Sequence, residues 1–323
     1  MICTMKYDIT TIGDAFEDVF VSPDMNVHSD RALGSGRGIT FEFGEKIPLK
    51  SVNYEIGGSA CNAAVGFSRL GYNASIVTLL GDDTPMNRIL DRLTEEGVDR
   101  YNIIVDGKSQ TGFSVIFNIN GERTIFVYHA VKDYQNLRIR RGLKSKWYFI
   151  APLGDKTETI EKRMIEDVAE NGSLIAWNPG SLQIEKGASH FRHLLNCTSI
   201  LFLNKEEAVK FVDFPVRPQI EEVIKKLYSY GPKIVVITNG KEGAKAYDGK
   251  EFYDISSRPI QVTDSTGAGD AFAIGFLGRL MKEDWKAEIP QEAVKEALKW
   301  GIENSVSVIQ HIGAQKGLLK NIT

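Results

Sequence analysis

The sequence predicts an α/β fold: a mainly parallel sheet with a small antiparallel β lid over one end. Three observations carry that expectation. Short unbroken apolar runs alternate with amphipathic stretches over most of the chain, two segments (38–56 and 110–129) switch to alternation with a period of two, and Asn120-Gly121 lies between two such runs. Strands buried on both faces read as continuous apolar runs, and strand–helix alternation implies right-handed crossovers with helices on both faces of a parallel sheet.

The apolar runs are residues 9–12, 74–80, 147–150, 174–177, 200–203 and 234–238. Helices are expected at 83–96, 157–170 and 218–230. In the first, Thr84 is placed to cap and Pro85 falls in the first turn, where a missing N–H costs nothing. Ile39, Phe41 and Phe43 alternate with Thr40 and Glu42, which predicts a lid strand. Asn120-Gly121 predicts a tight hairpin joining 113–119 to 122–128. Residues 1–323 are expected to form a single domain, its lid made by insertions near 15–22, 37–56 and 110–130. That lid would cover a site at the carboxyl ends of the parallel strands, where open α/β sheets bind ligands. The Gly- and Ser-rich stretch 29–38 predicts a flexible turn; its glycines at 34, 36 and 38 have the wrong spacing for a dinucleotide loop and run into a strand.

Composition narrows the function classes. Apolar residues make up 42% and charged residues 25% of 323, ordinary for a chain with a sizeable core. A net charge of -3 gives no electrostatic case for nucleic acid or an anionic membrane as partner, and an anionic substrate would need a local basic pocket. Cys3, Cys61 and Cys197 form no CxxC pair, which points to a reducing, cytoplasmic location, with Cys61 read as a small buried helix residue. The amino terminus lacks a leader pattern, and no run approaches the ~18 apolar residues of a membrane span. His190 and His193 lie one helical step apart with no evident carboxylate partner, so they are read as a solvated face and not as metal ligands.

Chemistry concentrates in Asp264-Ser265-Thr266-Gly267-Ala268-Gly269-Asp270, which opens an apolar helix. Small residues at a helix start leave backbone N–H groups open to phosphate oxygens at the positive end of the helix dipole. An acid in that first turn faces the bound anion and can accept a hydroxyl proton during phosphoryl transfer. Taken alone, the pattern fits a capped, tightly packed helix start equally well. A dinucleotide fold would place such glycines near the beginning of a βαβ unit, and there is no GxxxxGK[ST] phosphate loop.

This segment resembles the carboxy-terminal signature of the PfkB or ribokinase-like carbohydrate kinases, roughly DTxGAGD, with Ser265 in place of the usual threonine. The stretch Gly57-Gly58-Ser59-Ala60-Cys61-Asn62, leading into a small-residue helix, resembles the same family's amino-terminal signature, and the resemblance spans essentially the whole chain. It implies a three-layer sandwich and ATP-dependent transfer to a hydroxyl. Asp270 is then the base, and the amides of Gly267, Ala268 and Gly269 hold the γ-phosphate. Asp14, at the end of the first strand, would bind acceptor hydroxyls with Gly57, Gly58 and Asn62. Asn204 and Glu207 match the NxxE motif that organises Mg2+ and phosphate, often through water. Thr238, Gly240 and Gly243 match a strand-end loop that lines the nucleotide, and Asn304 falls in the region flanking adenine. Asp264 and Thr266, with carbonyls of Val308, His311 and Gly313, match a loop that binds a monovalent cation such as K+ in many relatives.

The resemblance leaves the acceptor open among sugars, sugar derivatives and nucleosides. Ser59 stands where ribokinases often carry lysine, which counts against ribose. Phe16, Phe41 and Tyr128 could stack on a nucleoside base or simply pack the lid, and Arg123 could meet an acidic sugar or lie on the hairpin surface. A non-catalytic ligand-binding relative is the rival from another class; the intact Asp270 counts against it. Exposed lid edges suggest a homodimer paired through the lids.

Overall fold

The computed structural model describes residues 6–24, 28–29, 37–119, 122–129, 134–140, 143–214, 218–285 and 288–321. Cys3, residues 30–36 of the glycine- and serine-rich stretch, Asn120-Gly121 and the Arg123 side chain lie outside what is described. An eight-stranded sheet runs in the order Phe252–Ile255, Ala244–Tyr247, Ile234–Thr238, Thr198–Asn204, Leu174–Trp177, Lys144–Ile150, Lys6–Ile12, Ala74–Val77. The last six are mutually parallel, and the first two append as an antiparallel edge. Alternate side chains of each strand feed two cores. On one face Ile9, Phe149, Ala176 and Phe202 pack with helices Ser59–Arg69, Ala268–Leu280 and Gln291–Val308. On the other, Ile12, Tyr148, Ile150 and Trp177 pack with helices Glu158–Asn171, Lys205–Phe211 and Ile220–Tyr228. Two helical layers around one sheet make the expected three-layer sandwich. No helix among the described residues is long and apolar enough to cross a membrane.

The second sheet has four strands in the order Glu122–Tyr128, Phe113–Ile119, Phe16–Pro23, Leu49–Gly57. Its outer pairs are antiparallel, but the central pair is parallel, so the lid is mixed and not purely antiparallel. Both central strands enter the lid from its root, where Glu17 N donates to Gly112 O at 3.2 Å, and they therefore run outward in the same direction.

Two local expectations need correction. Residues 39–43 are not a strand: Leu49–Gly57 takes the place beside Phe16–Pro23. Alternation alone cannot make a strand without a partner ladder, and Phe41 merely rests its ring 5.8 Å from that of Phe117. Helix Thr84–Glu95 is capped by Asp83, not Thr84. The Asp83 carboxylate accepts from Met86 N at 3.0 Å, and from Thr111 N and Oγ1, both at 2.7 Å, so one side chain caps the helix and anchors the root of the lid.

Candidate active site

The parallel strands all end at one rim. There Ser59, Asn178, Asn204, Glu207, Thr238 and the glycine loop enclose a cavity of about 380 Å³. A second cavity, about 620 Å³, lies across that loop. Its walls include Pro259, Ile260, Val262, Ile302, Val306 and Ile309, with Gly240 and Gly243 at one side. Thr238, Ser265, Ala268, Gly269 and Phe272 line both, so the two form one cleft divided by the glycine loop.

The loop owes its shape to two glycines with different duties. Gly267, at φ 74, caps helix Ala268–Leu280 in the left-handed region, and a Cβ there would sit 2.3 Å from that of Ala314. Gly269 has nothing within 4 Å of its missing side chain, so its backbone is bare to the cleft. Asp270 follows in the first turn, half-buried. Burial pushes its carboxyl above the usual range, and hydrogen bonds from Asn62 and Ser59 pull it partly back. Asn62 Nδ2 donates to Asp270 Oδ2 at 2.9 Å, while Asn62 Oδ1 accepts from Gln315 Nε2 at 3.1 Å. The two glycine motifs, 208 residues apart along the chain at this contact, therefore meet.

At the early turn, Gly58 has φ 86, and a Cβ there would lie 2.5 Å from the Asp14 carbonyl. Asp14 is half-buried; burial raises its pKa, and His129, whose Nδ1 stands 3.7 Å from Asp14 Oδ2, lowers it. Asp18 was missed from the sequence. It is only 6% exposed, presses against Gly57, and accepts a hydrogen bond from Ser114 Oγ. Burial pushes its carboxyl up to about 6, against the Ser114 hydrogen bond, and the negative charges of Asp264, Asp270 and Glu55 add to the rise. The available signal was an acid in phase with Phe16 and Phe20 on a lid strand, which turns it to the same face.

The remaining predicted residues divide. Asn204 and Glu207 form a reciprocal cap on helix Lys205–Phe211: Asn204 Oδ1 accepts from Glu207 N at 2.8 Å, and Glu207 Oε2 accepts from Asn204 N at 2.9 Å. Burial raises the Glu207 pKa against its hydrogen bonds with Asn204, and the residue lines the smaller cavity. Asn304 does not line the cleft. It is buried, donates to Ala271 O at 2.7 Å and accepts from Leu319 N at 2.9 Å, so it clamps two helices and the carboxy-terminal segment, and Ile302, Ser305 and Val306 face the cavity instead. Asp264 fastens its own loop. Its Oδ1 accepts from Thr266 N at 3.0 Å and Thr266 Oγ1 at 2.7 Å, and its Oδ2 from Gly313 N at 3.0 Å. Of the carbonyls expected around a monovalent cation, that of Val308 accepts from His311 N.

Other side chains fall into structural roles. Cys61 is fully buried, its thiol pushed up to about 12 chiefly by burial, which makes it inert packing. His193 does have a carboxylate partner, Glu161 Oε2 at 2.8 Å. Among the described residues no group of three or more His, Cys, Asp or Glu side chains is arranged to hold a metal. Phe41 and Tyr128 are corrected as base-stacking candidates. Their contacts, Phe117 and Phe113, pair with Val21 and Glu17, which point to the lid face opposite Asp18. Phe16 shares the Asp18 face and packs edge-on against His129, with ring centroids 5.4 Å apart.

Comparison with known proteins bears on the family and the fold. The chain is 26% identical over 242 residues to Fructokinase-1 of Zea mays, covering 70% of this chain and 74% of that one. It is 25% identical over 308 residues to Cytidine kinase of Thermococcus kodakarensis, covering 91% and 97%. The structure of Arabidopsis thaliana ribokinase complexed with ribose and ATP superposes with a TM-score of 0.77 at 21% identity, over 98% of this chain and 97% of that one. The pfkB family carbohydrate kinase profile matches residues 35–321, and the chain therefore belongs to the pfkB family of carbohydrate kinases.

Proposed function

We propose that the chain transfers the γ-phosphoryl group of ATP to a hydroxyl of a small sugar, with Asp270 as the general base. One observation carries the reading: Asp270 lines the smaller cavity beside the bare Gly269 backbone and accepts a hydrogen bond from Asn62 of the early glycine turn. The larger cavity suits a nucleotide base between its apolar walls, with the phosphates directed to the amides of Gly267, Ala268 and Gly269 past Thr238, Gly240 and Gly243. The acceptor then rests on Asp14, Gly57, Gly58 and Asn62, with Asp18 completing the hydroxyl-binding set from the lid.

The acceptor oxygen attacks the γ-phosphorus while its proton passes to the Asp270 carboxylate. The bond to the β-phosphate oxygen breaks, and ADP leaves. Desolvation of Asp270 favours this role by making the carboxylate a stronger base than one in water. The hard oxygen donors of Asn204 and Glu207 fit a hydrated Mg2+, which supplies charge screening for the phosphates when bound with the nucleotide. Closure of the lid over the acceptor excludes water and protects ATP from hydrolysis.

A nucleoside acceptor is the second reading, favoured by the Phe16–His129 ring pair beside Asp14. Asp270→Asn tests the core of the proposal: turnover should fall on the order of 10³-fold or more while ATP still binds. An unchanged rate removes Asp270 from the chemistry. Binding of acceptor without any release of ADP would favour a non-catalytic relative.

A further inference from the structure

The two halves of the cleft carry opposite charge, and the division falls at the glycine loop. Among the described residues, the wall of the smaller cavity holds Glu207 and Asp270 and no lysine or arginine. The wall of the larger one holds Lys241 and Arg258 and no aspartate or glutamate. In a chain with a net charge of -3, this corner is the local basic pocket that an anionic substrate needs.

The fold brings the two cations together from separate segments. Strand Ile234–Thr238 ends at the rim, and the short helical turn Gly240–Glu242 follows with Lys241 at its centre. Strand Ala244–Tyr247 leaves the rim and Phe252–Ile255 returns to it, with Ala244 paired to Ile255. Arg258 comes shortly after, and a Cβ on Gly243 would stand 2.8 Å from Ser257 N, so the two segments touch. Lys241 and Arg258 therefore reach the cavity from adjoining walls. Both are exposed. Among the described residues neither has an ion pair or hydrogen bond, and the nearest acid in sequence, Glu242, is turned to Asn239 Nδ2 and stays off the cavity wall. Lys245 on the adjacent strand shows the contrast: it is held by Glu221 at 2.5 Å and Asp254 at 2.8 Å.

Two like charges on adjoining walls repel one another, and an anion between them removes that repulsion. We propose that Lys241 and Arg258 hold the α- and β-phosphates of the nucleotide, an assignment that rests on the phosphotransferase reading above and adds two residues to it. The base occupies the apolar end, between Pro259, Ile260, Ile302 and Val306. The γ-phosphate lies at the glycine loop, beside Asp270. The stretch between them runs along the turn that carries Lys241. Only the γ-phosphoryl group leaves for the acceptor, so ADP and ATP draw equally on the two cations. Both side chains thus supply binding that is the same before and after transfer.

Calorimetric titration of the full chain with MgADP and with MgATP tests this, in the parent and in Lys241→Gln, Arg258→Gln and Lys241→Arg. Each glutamine variant should weaken both nucleotides by the same factor, about 5- to 10-fold, and Lys241→Arg should recover most of its loss. The fall in ADP affinity between about 50 and 500 mM choline chloride should flatten in the glutamine variants. Their urea unfolding midpoints should match the parent's, because neither side chain holds another part of the fold. Unchanged ADP affinity in either glutamine variant overturns the paired assignment. A loss confined to ATP overturns it too, since the cations would then meet the γ-phosphate. So does a loss with an unaltered salt dependence, which would mean that the side-chain stems pack on the base. A parent that binds neither nucleotide refutes the phosphotransferase reading itself, and this inference with it.

Discussion

Replacing Asp18 with asparagine separates what the lid carboxylate does for function from what it does to stability. In the folded chain this carboxyl is pushed from 3.8 up to about 6, first by burial and then by its negative neighbours, despite the Ser114 hydrogen bond. At 1.36 kcal/mol per pKa unit, the difference corresponds to as much as about 3 kcal/mol of folding free energy set against the ionised group. The sign follows from proton binding. The folded state holds this proton more tightly than the unfolded chain, so the contribution is fully present below about pH 4 and lost as pH rises through about 6. Asparagine keeps an oxygen for Ser114 Oγ–H and carries no charge. The variant should therefore match the parent near pH 4 and be more stable by up to about 3 kcal/mol at pH 7, the gap opening between the two. Urea unfolding at several pH values across that span measures it. The same change removes a charged hydrogen-bond acceptor from the acceptor site, so KM for the sugar should rise about 10- to 100-fold. A stability gap independent of pH, or a variant less stable than the parent at pH 7, would refute the reasoning.

Three further outcomes are expected. Asn62→Ala removes a donor that favours the charged form of Asp270, so the acid limb of the kcat–pH profile should move to higher pH and the deficit shrink as pH rises; a uniform loss at every pH would mean that Asn62 only supports the fold. Gly267→Ala forces a side chain into the left-handed region and against Ala314, and should destabilise by about 1–3 kcal/mol, whereas Gly269→Ala should fold normally yet weaken ATP binding on the order of 10-fold because its methyl enters the cleft; denaturation and nucleotide titration of the two proteins check the contrast. Asp83→Ala strips the cap of helix Thr84–Glu95 and the Thr111 anchor together, which should cost about 2–3 kcal/mol in urea unfolding; a loss under about 0.5 kcal/mol would mean that water replaces those bonds.

What could be read from the sequence follows the range of the interactions concerned. The parallel strands were legible because burial on both faces writes itself into four to seven adjacent residues, as in Ile234–Thr238 and Leu174–Trp177. The hairpin strands Phe113–Ile119 and Glu122–Tyr128 were legible for a similarly local reason, the Asn-Gly pair between them. Residues 39–43 misled because period-two alternation says nothing about which neighbour is available for pairing. Asn304 misled in the opposite way: its place on the late helix was correct, but a buried amide is consumed by whichever backbone groups it meets, here Ala271 O and Leu319 N. Asp18 became visible only when the lid strands were in register and its oxygen faced Gly57. The hydrogen bond from Asn62 to Asp270 was not legible, since no periodicity spans such a separation; the paired signatures assigned both residues to one site but not to each other.

The Asp264 carboxylate has a mechanical consequence. It ties the start of the glycine loop to Gly313, and Gly313 in turn lies under Glu55, a lid residue held by Lys316, the residue next to the Gln315 that grips Asn62. Phosphate cradle, carboxy-terminal segment and cover strand are thus linked like beads on one short cord. Under the proposed function, strain from the acceptor at one end would be carried to the nucleotide end, so the two substrates should each sense whether the other has arrived.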